Sequence, residues 1–308
     1  EKNKMAAENT REGEDEEMGI PELANDSLDV DLTHRKIEKI ENLELLEKIE
    51  TLCFRRNMIK SIEGLETLVT LQELDLYDNQ IEKIENLEQL VDLKILDLSF
   101  NAIKVVENVA ALVQLQKLFL VQNRVSKIEN LTTLSSLTML ELGANNIRVI
   151  EGLSSLVNLE SLFLGKNKIK KLENLDGLKK LKLLSIQSNR ITKLEGLDQL
   201  ESLEELYISH NGITDIEGLE KLIKLTTLDL ASNEITRIQN ISHLNKLEEF
   251  WFNNNCLELW NDLDQLKNTV TLNTIYLEGN PVAKDVNYRR KVKLTLPFVK
   301  QIDATLTG

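Results

Sequence analysis

Eight side chains spaced 22 residues apart, with a ninth 25 residues on, read Asp97, Phe119, Glu141, Phe163, Ser185, Tyr207, Asp229, Trp251 and Tyr276. From Phe119 to Trp251 a ring recurs at every second place, with a carboxylate or a hydroxyl between. Five of the chain's 13 aromatic residues stand in this one series. Rings supply contact area at low rotamer cost, and carboxylates between them call for Lys or Arg on whatever is bound. High strand propensity would account for one or two such rings, but not for their alternation with carboxylates. The chemistry on offer is recognition of another protein's surface. Glu249, two residues before Trp251, extends its acidic part.

Catalytic chemistry has no comparable support. His34, His210 and His243 are scattered, and if each 22-residue unit adds one strand, roughly 38 Å separates the first two. No triad or shared metal site follows. No phosphate-cradling glycine motif is present, and the carboxylates are expected on an open face with no pocket to raise a pKa. Cys53, one of two cysteines, falls in the same series as the rings and is read as a tolerated small residue; Cys256 is the other. The expectation is a non-enzyme with no metal and no cofactor.

The element that would align such a series is a short strand in a stacked repeat. Asn occurs at 57, 79, 101, 123, 145, 167, 189, 211, 233 and 255, always 22 apart. One unit, residues 71–92, reads LQELDLYDNQIEKIENLEQLVD. Counting its Leu71 as position 1, Leu or Ile recurs at positions 1, 4, 6, 11, 14, 17 and 20, and Asn at 9. The pattern LxxLxLxxNxIxxIxxLxx resembles that of leucine-rich repeats. Positions 3 to 7 alternate outward and inward, as a strand does. One unit cannot close a core alone, so units must stack, and the Asn at position 9 suits a buried amide ladder. Position 16 holds only Asn or Gly from Asn42 to Asn240, which predicts a left-handed residue in each unit. The fold expected is an α/β leucine-rich-repeat solenoid of about twelve 22-residue repeats. It would have a concave parallel β-sheet, short 3-10 or helical turns on the convex side and a C-terminal helical cap.

With that register, the series of rings and carboxylates occupies position 5, at the middle of the concave face. The stretch EEFWFNNNC, residues 248–256, separates accordingly. Phe250 and Phe252 point into the core, while Trp251 faces out. Residues 27–280 are assigned to the repeats, with Arg35 in place of Asn in the first. Residues 281–308 form the cap, with a helix over Tyr288 to Leu296 and Val299 and Ile302 behind it. Residues 1–26 carry nine acidic and three basic side chains and few large apolar ones, and are read as a disordered acidic tail.

The net charge of −14 argues against nucleic acid or an anionic membrane as the main partner. No apolar run approaches a membrane span, and no signal peptide is evident, so an intracellular chain is expected. The glycosylation-like tripeptides at Asn25, Asn130 and Asn240 are then chance matches. Two capped ends favour a monomer.

Several phrases are more specific than the repeat itself. LQELDLYDNQIEKIENLE, LFLVQNRVSKIENL, LESLFLGKNKI, ISHLNKLEEFW and YRRKVKLTLPFVKQIDAT resemble the leucine-rich-repeat regulatory subunits of Ser/Thr protein phosphatase 1, over about residues 28–306. The resemblance implies a partner, the phosphatase catalytic subunit, bound along the concave face. It carries a contact role onto Asp97, Phe119, Glu141, Phe163, Glu249, Trp251 and Tyr276. It also implies control of phosphatase activity, maturation or targeting, a small phosphatase inhibitor in the same complex, and residence in nucleus and cytoplasm. Tyr207 and Asp229 join the candidate site through the spacing alone. A basic-Val/Ile-x-Phe/Trp docking peptide is absent; KVKL at 291–294 comes nearest but ends in Leu. The alternative is a leucine-rich-repeat scaffold using the same groove for a different folded protein.

Overall fold

The computed structural model describes residues 19–307. Twelve three-residue strands follow one another among them: β1 (Asp29–Asp31), β2 (Thr51–Cys53), β3 (Glu73–Asp75), β4 (Ile95–Asp97), β5 (Lys117–Phe119) and β6 (Met139–Glu141), then β7 (Ser161–Phe163), β8 (Leu183–Ser185), β9 (Glu205–Tyr207), β10 (Thr227–Asp229), β11 (Glu249–Trp251) and β12 (Thr274–Tyr276). They pair in sequence order, all parallel, with like positions in register: Leu74 opposite Leu96, Asp75 opposite Asp97, Phe250 opposite Ile275. The solenoid architecture expected from the spacing is therefore present.

Leu and Ile at positions 1, 4, 6, 11, 14, 17 and 20 are almost wholly buried, as in Leu71, Leu74, Leu76, Ile81, Ile84, Leu87 and Leu90. Each such side chain contributes about 1.5–3 kcal/mol by leaving water. Phe54, Phe250 and Phe252 fill the same slots.

The convex side carries short turns of the expected 3-10 kind. Its turns are pairs of isolated three-residue hydrogen bonds, such as Leu68 N–H to Leu65 O and Leu71 N–H to Leu68 O. The Leu or Ile between each pair must keep its side chain inward, which stops a continuous helix. One unit grows a 3-10 helix there, Trp260–Leu266, where three residues are inserted. Its Asp262 is buried and takes Arg237 through both oxygens, at 2.7 and 2.8 Å.

The Asn ladder forms as the spacing predicts. Asn79 is typical: its Oδ1 accepts the Ile59 N–H of the preceding turn at 3.0 Å, while its Nδ2 donates to Phe54 O of that turn and to Leu76 O of its own. Each amide thus ties two turns together and satisfies groups that a bend would otherwise orphan. In the first unit, where Arg35 replaces Asn, Asn57 Oδ1 accepts both Arg35 N–H and Ile37 N–H.

Position 16 is left-handed throughout, and the structure explains its restriction to Asn and Gly. Asn86, Asn108, Asn130, Asn174 and Asn240 each donate to the position-14 carbonyl of the preceding turn, at 2.6–2.8 Å. Where Gly stands, that carbonyl closes in; a Cβ on Gly152 would meet Ile128 O at 2.4 Å. An ionised Asp offers no donor to that carbonyl. A second left-handed residue per turn, at position 8, went unread in the sequence: Arg56, Asp78, Phe100, Gln122, Ala144 and Lys166 have φ of 54–57°. These side chains face solvent, so any type is admitted, and the strain is offset by hydrogen bonds to the next turn, such as Arg56 N–H to Tyr77 O.

Each end carries structure beyond what the sequence suggested. Residues 1–18 of the expected tail lie outside the described residues. Gly19 to Asp26 are not free of the fold, because Gly19 N–H reaches Arg35 O at 2.9 Å and Ile20 and Leu23 pack on the core of the first turn. At the other end α1 spans Tyr288–Thr295 and contains the KVKL stretch. Val299 and Ile302 are buried behind it, and the chain adds two strands the sequence did not suggest. β13 (Gln301–Ile302) runs parallel to β12, and β14 (Thr305–Leu306) turns back antiparallel. Asp303 closes the stack: its Oδ1 accepts Leu277 N–H and Glu278 N–H, and Tyr288 OH donates to its carboxylate.

Candidate partner-binding face

Side chains at positions 3 and 5 project from the concave face, while Leu, Ile or Phe at position 4 anchors each strand below. Register aligns the position-5 residues shoulder to shoulder: Asp97, Phe119, Glu141, Phe163, Ser185, Tyr207, Asp229, Trp251 and Tyr276. Every one of them is half-buried except Ser185, which is buried. The predicted column is therefore brought together as one continuous stripe, and Glu249 stands beside Trp251 at position 3. Which of these residues touch a partner is a separate matter, taken up below.

The stripe divides chemically. At its C-terminal end the polar handles of the rings are engaged. Trp251 Nε1 donates to Glu249 Oε2 at 3.1 Å, Tyr207 OH to Glu205 Oε2 at 2.6 Å, and Gln301 Nε2 to Tyr276 OH at 2.9 Å. Trp251 and Tyr276 stack, with centroids 4.5 Å apart and planes 10° from parallel. The two are consecutive in the series despite the three extra residues before β12. Burial, aided by the Glu205 carboxylate, pushes the Tyr207 hydroxyl well above its ordinary value, so it remains a donor.

In the middle, Glu141 lies between the rings of Phe119 and Phe163. Among the described residues no hydrogen bond or ion pair engages its carboxylate. Burial raises its pKa, and the charge of Asp97 two strands away raises it further. Asp229 is raised by burial too, against lowering hydrogen bonds from Ser209 and the Ala231 N–H. Gly143 and Gly165 sit at position 7 of successive turns and leave a depression of about 230 Å³, bordered by Phe100, Glu141, Phe163 and Lys166. The arrangement can receive a cationic or apolar side chain; it has no pair of groups placed for proton transfer.

At the N-terminal end a cluster formed that sequence reading missed. The Arg55 guanidinium lies 4.2 Å over the Tyr77 ring and reaches Asp75 Oδ2 at 3.1 Å, and Tyr77 meets Phe100 at 4.9 Å between centroids. Arg55 and Tyr77 hold position 7 and Phe100 position 8, beside Asp75 at position 5. Burial is the first cause of the raised pKa of Asp75, and it raises the Cys53 thiol as well, which disfavours the thiolate. Among the described residues no cluster of His, Cys, Asp and Glu is arranged to hold a metal, and no helix is long and apolar enough to cross a membrane.

A family model described as leucine-rich repeats (2 copies) matches residues 47–89, 69–111, 135–177, 157–199, 179–221 and 201–246. Human protein phosphatase 1 regulatory subunit 7 is 62% identical over 48 residues, which is 16% of this chain and 13% of that protein. The protein of that name from Danio rerio is 63% identical over 46 residues, 15% of this chain and 13% of its own length. The Schizosaccharomyces pombe protein phosphatase 1 regulatory subunit SDS22 is 49% identical over 45 residues, 14% of each chain. The aligned stretches thus span only a small part of these relatives. Among solved structures, an internalin from Listeria monocytogenes superposes with a TM-score of 0.72 at 25% identity, over 91% of this chain and 87% of that one. A leucine-rich-repeat protein of Leptospira interrogans gives 0.68 at 27% identity, over 84% and 73%.

Proposed function

This chain belongs to the leucine-rich-repeat family, and on that footing we propose that it is a non-catalytic regulatory subunit that binds the catalytic subunit of protein phosphatase 1 through its concave face. The observation that carries the reading is the stripe itself: half-buried rings alternate with carboxylates on an open sheet, and among the described residues the Glu141 carboxylate has no partner. A solvent-facing run of large rings marks an interaction surface, and an unpaired half-buried carboxylate between rings suits an incoming Lys or Arg. The names of the short-range relatives supply the identity of the partner.

In this reading Trp251, Tyr276, Phe163 and Phe119 are the apolar anchors, while Asp97, Glu141, Asp229 and Glu249 receive basic side chains. Tyr207 contributes its ring, its hydroxyl being held by Glu205. The subunit controls phosphatase activity, maturation or targeting, and leaves room for a small phosphatase inhibitor in a ternary complex. It is a monomer by itself and works in nucleus and cytoplasm, without nucleic acid, membrane, metal or cofactor.

The test is gel filtration of the purified chain with purified catalytic subunit. The wild type should co-elute with it, and the double variant Phe163→Ala/Trp251→Ala should elute apart. Undiminished co-elution of the double variant removes the groove from the interface, and failure of the wild type to co-elute removes the partner.

A further inference from the structure

The lip of the concave face on the C-terminal side of the strands carries a charge opposite to that of the chain. Over four successive turns, from Gln122 to Lys193, positions 8, 10, 12 and 13 hold nine Lys or Arg side chains and no Asp or Glu, in a protein of net charge −14. Three are engaged: Lys127 with Glu129 at 2.9 Å, Lys171 with Glu173 at 3.9 Å, and Lys168 with Asn146 Oδ1 at 2.5 Å. The other six, Arg124, Arg148, Lys166, Lys170, Arg190 and Lys193, are exposed, and among the described residues no ion pair engages any of them.

The turns on either side are arranged otherwise. Before the stretch, Lys104 pairs with Glu82 at 3.2 Å and Lys83 with Glu85 at 3.6 Å; after it, Arg237 is held by Asp262. Elsewhere on this lip Lys83, Lys104 and Arg237 are engaged within the chain and Arg56 and Lys60 stand exposed in one turn, so the central four turns are where open basic side chains gather. Like charges side by side repel, by an amount that salt reduces. The left-handed residue at position 8 adds a geometric link, because it places Lys166 on the border of the depression that also holds Glu141 and Phe163.

The geometry points to a second interaction surface here, one that takes a carboxylate-rich, extended segment of a protein partner. Four columns spaced by sheet pairing span roughly 15 Å, the reach of about five extended residues. A short acidic peptide fits that length and keeps its charge on the lip. A longer polyanion such as a nucleic acid would run past it onto the carboxylates of the groove and the acidic remainder of the surface, and the lip offers no aromatic platform on which bases could stack. The inference does not depend on which protein occupies the groove.

A fluorescein-labelled hexaglutamate peptide, titrated with the full chain and read by anisotropy, tests this. Binding is expected at about 50 mM salt and should weaken at about 200 mM. The variant Arg148→Glu/Lys170→Glu/Arg190→Glu should bind about tenfold or more weakly, whereas Lys48→Glu/Lys224→Glu/Lys246→Glu, with the same change in net charge away from this lip, should lose less than about threefold. All six residues are exposed, so melting curves are expected to match the wild type. Phe163→Ala/Trp251→Ala should keep peptide binding, so failure at the groove and failure at the lip are told apart. No binding at the lower salt, equal loss in both triple variants, or tighter binding of a labelled oligonucleotide or of phosphatidylserine vesicles would each overturn the proposal.

Discussion

At β6 the Glu141 carboxylate stands between two phenylalanine strands with no hydrogen-bond donor among the described residues, while at β11 the Glu249 carboxylate accepts the Trp251 indole N–H at 3.1 Å. The residue types are the same, acid beside ring on a concave strand, but the acids occupy different positions. Glu249 is at position 3, two residues along its own strand from the ring it orients. Glu141 is at position 5, in the column, where its neighbours are the rings of adjacent strands. One carboxylate completes the free protein and the other is left incomplete. The C-terminal end of the groove is therefore pre-oriented for contact, and its middle is set to respond to charge.

That contrast fixes where binding energy should be lost. Trp251 is already stacked on Tyr276 and oriented by Glu249, so little ordering remains to oppose its burial by a partner. Trp251→Ala should weaken binding of the phosphatase catalytic subunit by about 2–4 kcal/mol, measured by calorimetry. A loss below about 1 kcal/mol would mean the stack serves the cap alone and would break the comparison at its stronger end.

The middle of the groove should show a smaller effect with a different salt dependence. Glu141→Gln keeps the shape and removes the charge, and should cost about 1–3 kcal/mol of binding if a cationic group approaches it. The loss should shrink as salt rises, whereas the Trp251→Ala loss should not. Similar salt dependence in both variants would erase the distinction between the two regions. Glu249→Ala should cost less again, about 0.5–1.5 kcal/mol, because it frees the indole to rotate without removing its area.

The two regions were not equally legible in the sequence. The column itself followed from the 22-residue step, because side-chain period and stacking period are both fixed by the backbone. The Asn at position 9 and the Asn or Gly at position 16 were legible for the same reason: each has one chemically narrow task per turn, visible in Asn79 bridging two turns and Gly152 yielding its Cβ space to Ile128 O. Position 8 is equally left-handed yet carries Arg56, Phe100, Ala144 and Lys166, since an exposed residue can bear that strain in any type. Contacts across columns were hidden as well. The Arg55–Tyr77–Phe100 cluster joins positions 7 and 8 of neighbouring turns, and the three residues inserted before β12 form a 3-10 helix on the convex side. Single-position periodicity reports what repeats, and these features do not.

The smallest expected effect is the most discriminating, because it has the opposite sign. Burial first, and the charge of Asp97 second, raise the Glu141 carboxyl above its ordinary 4.5. The folded chain then holds that proton more tightly than the unfolded chain does, so this group favours folding below pH 4.5, and the benefit disappears as pH rises through the folded value. At pH 7 the ionised carboxylate therefore opposes folding. Glu141→Gln should make the free protein more stable at pH 7, by less than about 1 kcal/mol, since half-exposed charges are largely screened. The advantage should fade as pH falls below 4.5. Urea midpoints at pH 7 and near pH 4 measure it, with Glu249→Gln as the contrasting variant, expected to be neutral or slightly destabilising at pH 7 because that carboxylate has a donor. A wild type more stable than Glu141→Gln at pH 7 would show that the middle carboxylate is satisfied within the chain. The same substitution that weakens partner binding should strengthen the free fold, which is the mark of a group retained for what it meets and not for what it holds together.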